Sequence, residues 1–383
     1  MKIAMIGHKV VPSTKGGIET VLTNLCPIIA GYGHEVTCYN RSSDKSEDVF
    51  AGDINHGRYK GVVLKKAPTL KLRGISAMLA SFTAAVKCSF SKCDIVHFHA
   101  EGPSAAMFIP KLFGKKCVAT VHGLDWQRAK WKNGFGAKYI KFGERMLVKY
   151  ADGVIVLSES AKEYFRETYD KSTTVIYNGI KKPEIIGDEI IKRLFGISRG
   201  SYICLVSRLT EEKGVHYLID AYKGLRTDKK LVICGDTSDT DDYAAHLRKM
   251  ADGNENIIFT GFISGDTLAS VYSNAYAVCL PSDIEGMSLS LLEAMSYGNA
   301  VICSDIPENT AVCGDAALTF KKGDVADLAE KLNLLLENKE KTEHLRGIAA
   351  GHVLSRFSWD KTADATCELY DNILKGENDI CKT

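Results

Sequence analysis

Two carboxylates, Glu285 and Glu293, stand eight residues apart around the segment Gly286-Met287-Ser288-Leu289. The run Tyr276–Leu280 before them is apolar and short enough for a buried strand, and Pro281-Ser282 ends it. After them, Leu289 to Tyr297 reads as a helix with Leu289, Leu292, Ala294 and Met295 on its apolar face. The order is strand, loop, helix start. A helix start offers unpaired N–H groups and the positive end of a dipole to an anion. Helical side chains lean toward the N-terminus, so Glu293 would reach back toward the loop. A phosphate at the helix start, flanked by carboxylates that bond sugar hydroxyls, is a coherent site for a nucleotide sugar. Taken alone, a solvated loop Glu and an exposed helix Glu are the commoner meaning of such a pair.

Other strand ends carry comparable chemistry. Val206-Ser207-Arg208-Leu209-Thr-Glu-Glu-Lys213-Gly214 sets two cations between a strand and a helix, a planar fork and a point charge suited to a diphosphate. A solvated basic loop is the plain alternative. Ser13-Thr-Lys-Gly16-Gly17 precedes a helical run, where a glycine pair lets backbone approach phosphate or simply makes a tight turn. It departs from G-x-G-x-x-G, which argues against a nicotinamide cofactor. His122-Gly123 follows another strand, where the histidine could meet a substrate or satisfy a structural hydrogen bond. Cys234-Gly235-Asp236 and Thr260-Gly261-Phe262-Ile263 end two more strands and could frame a nucleobase. His97 and His99 share one strand face, a spacing that could also hold a metal.

These residues need a scaffold that collects strand ends. The first half alternates helices with strand-like runs at Lys2–Gly7, Glu35–Tyr39, Gly61–Leu64, Ile95–Phe98, Cys117–Val121, Val154–Leu157 and Thr174–Tyr177. A second series covers Tyr202–Val206, Leu231–Cys234, Ile257–Thr260, Ala277–Leu280 and Ala300–Cys303. Continuous Val/Ile/Cys runs fit parallel sheets covered on both faces. The expectation is an α/β chain of two doubly wound Rossmann-like domains facing across a cleft. Residues 1–180 form the acceptor-side domain, 181–358 the donor domain, and 359–383 an amphipathic helix that packs on either one. Asn178–Gly187, with Gly, Pro and two lysines, is the hinge candidate.

Composition narrows the classes. At 383 residues with 45% hydrophobic and 25% charged residues, this is an ordinary globular composition. A net charge of +2 gives no reason to expect nucleic acid. No 18-residue apolar window exists, and the N-terminal apolar run is short for a signal peptide, so a cytoplasmic location is expected. The twelve cysteines include no C-x-x-C and read as buried thiols. Asp239-Thr-Asp241-Asp242 is a D-x-D string in a polar loop and reads as a solvated turn, so no metal is expected. Residues 111–150 carry ten Lys/Arg against Asp125 and Glu144, interleaved with aromatics. That stretch suits anionic lipid headgroups or a pyrophosphate-linked acceptor, or is a solvated face.

In their order, Gly16-Gly17, VHGLDWQR (121–128), VIYNGI (175–180), VSRLTEEKG (206–214), FTGFIS (259–264) and EGMSLSLLEAMSYGNAVICSD (285–305) resemble the retaining glycosyltransferases of family 4, with the GT-B fold. GHKVVPSTKGGIETV and VHFHAEGPSAAMFIPKLFGKK are similar to a bacterial subgroup of rhamnosyltransferases and other polysaccharide-assembling enzymes. The resemblance implies that Arg208 and Lys213 hold the diphosphate of a nucleotide sugar, joined by amides from Gly286 through Met287 and Ser288 to Leu289. Glu293 would bind ribose hydroxyls and Glu285 the sugar. Gly16 and Gly17 would close on the phosphates, and Gly235, Phe262 and Ile263 would meet the base. His122 would lie near the sugar, with His99, Glu101 and Asp125 on the acceptor side. Transfer of a hexose to a lipid-linked or oligosaccharide acceptor, metal-independent and without cofactor, at the inner face of the plasma membrane, is the implied activity. A nucleotide-sugar 2-epimerase and a non-catalytic nucleotide-sugar-binding protein are the alternatives. Met287 replaces a usual aromatic and Asn299 a frequent Pro, which leaves the sugar pocket open.

Overall fold

The computed structural model describes residues 1–46, 48–70, 75–124, 126, 134–237 and 241–377. Contacts divide the chain into two units, Met1–Gly179 with Trp359–Thr383, and Ile180–Ser358.

The first unit is built on β1 (Lys2–Ile6), β2 (Glu35–Arg41), β3 (Ile54–Asn55), β4 (Arg58–Tyr59), β5 (Val62–Ala67), β6 (Ile95–His99), β7 (Lys116–Val121), β8 (Gly153–Val156) and β9 (Thr174–Val175). Their order in the sheet is β3-β4-β5-β2-β1-β6-β7-β8-β9. All pairings are parallel except the β3–β4–β5 edge, whose two-residue strands are too short to show a period in sequence. Every residue of β6 is buried, as its unbroken Ile-Val-His-Phe-His run requires of a covered parallel strand. Gly153 makes room for the last helix, Trp359–Lys375. A Cβ there would lie 2.7 Å from Ile373 Cδ1. That helix packs against Gly17–Gly31, with the Thr362 hydroxyl donating to the Tyr177 carbonyl at 2.8 Å.

The second unit holds β10 (Tyr202–Val206), β11 (Lys230–Cys234), β12 (Ile257–Gly261), β13 (Ala277–Leu280), β14 (Ala300–Ser304) and β15 (Leu318–Phe320), all parallel, in the order β12-β11-β10-β13-β14-β15. Its core joins the strand residues Ile203, Leu205 and Ile302 with Leu218, Leu328 and Leu345 from the covering helices. The hinge candidate is fastened at its far end. The Ser270 hydroxyl donates to the Gly187 carbonyl at 2.6 Å and the Asn274 amide to the Ile186 carbonyl at 2.9 Å.

In each sheet the strand order reverses once, between β1 and β6 and between β10 and β13. Loops leaving the carboxyl ends of two such strands diverge to opposite faces and leave a crevice, the usual ligand position in open α/β sheets.

Candidate functional site

The loops after β10 and β13 are welded by backbone. Gly214 has φ +63°, and a Cβ there would lie 2.0 Å from the Pro281 carbonyl oxygen. The Asp283 N–H donates to the Glu212 carbonyl at 2.8 Å. On the other side, Gly235 has φ +145°, and its Cβ would lie 1.7 Å from the Ser207 carbonyl oxygen. Only glycine fits such approaches.

This framework sets Lys213 beside Glu285, Nζ to Oε1 2.6 Å, with side chains only 16% and 8% exposed. Ser207, Pro281, Ser282 and Ser288 line a small pocket around them. The sequence reading gave these two residues separate tasks, on diphosphate and on sugar. The structure joins them as one ion pair.

Ser288 caps the helix Leu289–Ser296 by accepting the Leu291 N–H at 3.3 Å. The amides before it lie at the open helix start, where an anion is favoured. Leu291, Leu292, Ala294 and Met295 are buried, whereas Leu289 is half-buried, so the inward stripe sits slightly round from the expected one. Met287 is buried too.

Glu293 faces Tyr272, whose hydroxyl donates to Oε2 at 3.4 Å. Burial pushes the Glu293 pKa up to about 7, and the Tyr272 hydrogen bond pulls it partly back. Tyr297 stacks on Tyr272 with centroids 5.3 Å apart. The buried Asn299 amide donates to the carbonyls of Tyr272 and Ala294, both at 3.0 Å. Asn299 therefore braces the partner of Glu293, a task that proline, with no side-chain amide, could not perform. Tyr272, Tyr297 and Asn299 had no local signal pointing to this carboxylate. Arg208 and Phe262 are exposed on the loops after β10 and β12, and Ile263 is half-buried.

In the first unit, Gly16 is extended rather than left-handed. Its missing Cβ makes room for Glu19, whose carboxylate accepts the Lys9 N–H at 2.7 Å. Gly17 faces open space. The buried His8 meets the Asn40 side-chain oxygen at 2.9 Å, and burial lowers its pKa to about 4.

His97 and His99 share a strand face as expected, but hydrogen bonds occupy them. The His97 nitrogens meet the hydroxyls of Tyr370 and Thr120, and His99 meets His122. Among the described residues no cluster of three or more ligating side chains could hold a metal ion. Glu101 is fully buried at the start of the helix Glu101–Ser104, and Gly143 lets the helix Phe135–Tyr150 approach it. Asp125, residues 127–133 and Asp239 lie outside the described residues.

The basic stretch is less free than its composition suggests. Lys111 pairs with Asp152 at 2.6 Å, Lys115 donates to the Ser91 carbonyl at 2.6 Å, and Lys141 lies over the Trp126 ring at 4.6 Å. Among the described residues of this stretch, the apolar Leu112, Phe113, Phe135 and Phe142 are exposed alongside Lys138, Lys141, Arg145 and Lys149.

Comparison with known proteins agrees with this architecture. Residues 15–182 match the family Glycosyltransferase Family 4, and residues 188–351 match Glycosyl transferases group 1. A glycosyltransferase of Methanocaldococcus jannaschii is 27% identical over 97% of this chain and 98% of its own length. The alpha-maltose-1-phosphate synthase of Mycolicibacterium smegmatis is 25% identical over 97% of this chain and all of its own. The structure of Anabaena HepE, solved with UDP and glucose, superposes with a TM-score of 0.80 at 16% identity, covering 97% of this chain and 100% of that one.

Proposed function

We propose that this chain, a GT-B glycosyltransferase, moves a hexose-type sugar with retention from a nucleotide-diphosphate donor to a lipid-linked or oligosaccharide acceptor in cell-surface polysaccharide synthesis. The observation that carries the reading is the Lys213–Glu285 pair at the β10/β13 reversal, in a pocket shared with Ser288, the cap of the helix that carries Glu293. Lys213, with Arg208 and the amides of Gly286 to Leu289, neutralises the leaving diphosphate. Charge gathers there in the transition state, so fixed cations and dipoles aimed at it are the main catalytic contribution. With these groups in place the transfer is metal-independent. Glu293 takes ribose hydroxyls and Glu285 the sugar. Phe262 and Ile263 flank the base, with Gly235 keeping their loop close. Gly16 and Gly17 close on the phosphates, His122 meets the sugar, and His99, Glu101 and Asp125 serve the acceptor side.

Support for a nucleotide donor comes also from HepE, which was solved with UDP. A thermal-shift panel of UDP-, GDP-, dTDP- and ADP-sugars tests the donor site. One nucleotide should raise the melting temperature and the rest should not; no response to any would end the reading. The epimerase alternative has the same donor groups but needs no acceptor. The exposed Leu112, Phe113, Phe135 and Phe142, on a segment rich in lysine, favour attachment to the inner face of the plasma membrane. Among the described residues, no helix is long and apolar enough to cross a membrane. Indifference to anionic liposomes at low salt, with only soluble sugars accepted, would remove this attachment.

A further inference from the structure

A run of hydrogen-bonded and stacked rings ends on His122. His97 and His99 stack on one face of β6, centroids 4.3 Å apart at 26°. His97 is held at both nitrogens. Its Nδ1 lies 2.5 Å from the Tyr370 hydroxyl on the last helix, and its Nε2 lies 2.7 Å from the Thr120 hydroxyl on β7. His99 Nδ1 lies 3.1 Å from His122 Nε2, just past the end of β7. His99 is 1% exposed, and its Nε2 has no hydrogen-bond partner among the described residues.

That unpartnered nitrogen decides where the protons sit. Burial lowers the His97 pKa to about 3 and holds His99 well below the usual histidine range, so both rings are neutral at pH 7. A neutral imidazole has one N–H and one bare nitrogen. A proton on His99 Nε2 would be a buried donor with no acceptor, at a cost of about 1–3 kcal/mol. Orphaned buried N–H groups are rarer than under-used acceptors. The proton therefore belongs on Nδ1, from which His99 donates to His122 Nε2. With Nε2 accepting, neutral His122 carries its own proton on Nδ1.

We propose that His99 is a positioning residue that fixes His122 in its Nδ1–H tautomer, so that His122 offers a hydrogen-bond donor to an oxygen of the bound sugar. Whatever group meets His122 Nδ1 must accept. A histidine locked in this form cannot take the proton of the acceptor hydroxyl through that nitrogen. The stack, anchored by Tyr370 and Thr120, holds the His99 ring at the angle this requires. The role toward sugar rests on the function proposed above, whereas the tautomer does not.

Nitrogen-15 NMR of the full chain labelled at histidine reads the tautomer directly, with the His122 signals assigned by their loss in His122→Asn. The expected spectrum has a bare Nε2 and a protonated Nδ1 on His122. A protonated Nε2 in the unmodified protein would overturn the proposal. His99→Leu should shift His122 toward a tautomer mixture and lower kcat/KM for acceptor roughly tenfold, one hydrogen bond's worth. His99→Asn, whose amide reaches the Nδ1 position, should restore both. An unchanged His122 spectrum in His99→Leu would refute the positioning role. The expected spectra with unchanged acceptor kinetics would refute the contact with sugar alone.

Discussion

Replacing Lys213 by Met separates what this lysine does for the fold from what it does for the ligand. Lys213 Nζ lies 2.6 Å from Glu285 Oε1, and neither side chain is more than 16% exposed. Deleting one member of a buried pair leaves an uncompensated charge and costs about 3–5 kcal/mol. The pair lines an open pocket that water can enter, so the lower end, roughly 3 kcal/mol, is expected in urea denaturation. Loss of one charge-assisted contact to a diphosphate removes about 1.5–3 kcal/mol of binding, or roughly 10- to 150-fold in Kd. Lys213→Met combined with Glu285→Gln leaves no buried charge. It should recover stability to within about 1 kcal/mol of the parent, while nucleoside diphosphate binding by calorimetry stays weak. Unchanged affinity in the single variant would remove Lys213 from the diphosphate site. A double variant as unstable as the single one would show that the stranded carboxylate is not the cause of the loss.

Glu293 titrates near 7 when folded, above its ordinary value of 4.5. The folded state holds that proton more tightly than the unfolded one, so this contribution to stability is full below pH 4.5 and is lost as pH rises to about 7. Glu293→Gln should flatten that fall and gain up to about 3 kcal/mol at pH 8, measured by urea denaturation at several pH values. If the carboxylate accepts ribose hydroxyls, nucleotide-sugar affinity should rise from pH 6 to 8 in the parent and stay flat in the variant. Gly235→Ala, which forces a Cβ to 1.7 Å from the Ser207 carbonyl, should cost more than about 2 kcal/mol in the same assay. Met287→Phe should change preference among sugars on one nucleotide by about tenfold in kcat/KM, with affinity for the free nucleoside diphosphate unchanged.

Much of this architecture was legible in the chain because covered parallel strands leave long apolar runs. Ala277–Leu280 was bounded to the residue, and the helix expected to begin at Leu289 begins there. The short strands β3, β4 and β15 were not, since two or three residues carry no period. Long-range partners were hidden for a different reason. Lys213 and Glu285 are 72 positions apart and His97 and Tyr370 are 273 apart, so nothing local announces either contact. At Gly16 the long side chain of Glu19, for which the glycine makes room, carried no signal in the sequence. For the lysines of 111–150, composition counts charges but not their partners, and Lys111, Lys115 and Lys141 have theirs within the fold.

The most direct measurement incubates the full chain, in the presence of a chelator, with the nucleotide-sugar panel and a lipid-linked saccharide. Released nucleoside diphosphate and the anomeric configuration of the product are then followed by NMR. Diphosphate should appear only when acceptor is present, and the transferred sugar should keep the donor's anomeric configuration. Epimerised sugar without acceptor, an inverted linkage, or binding with no turnover would contradict retaining transfer.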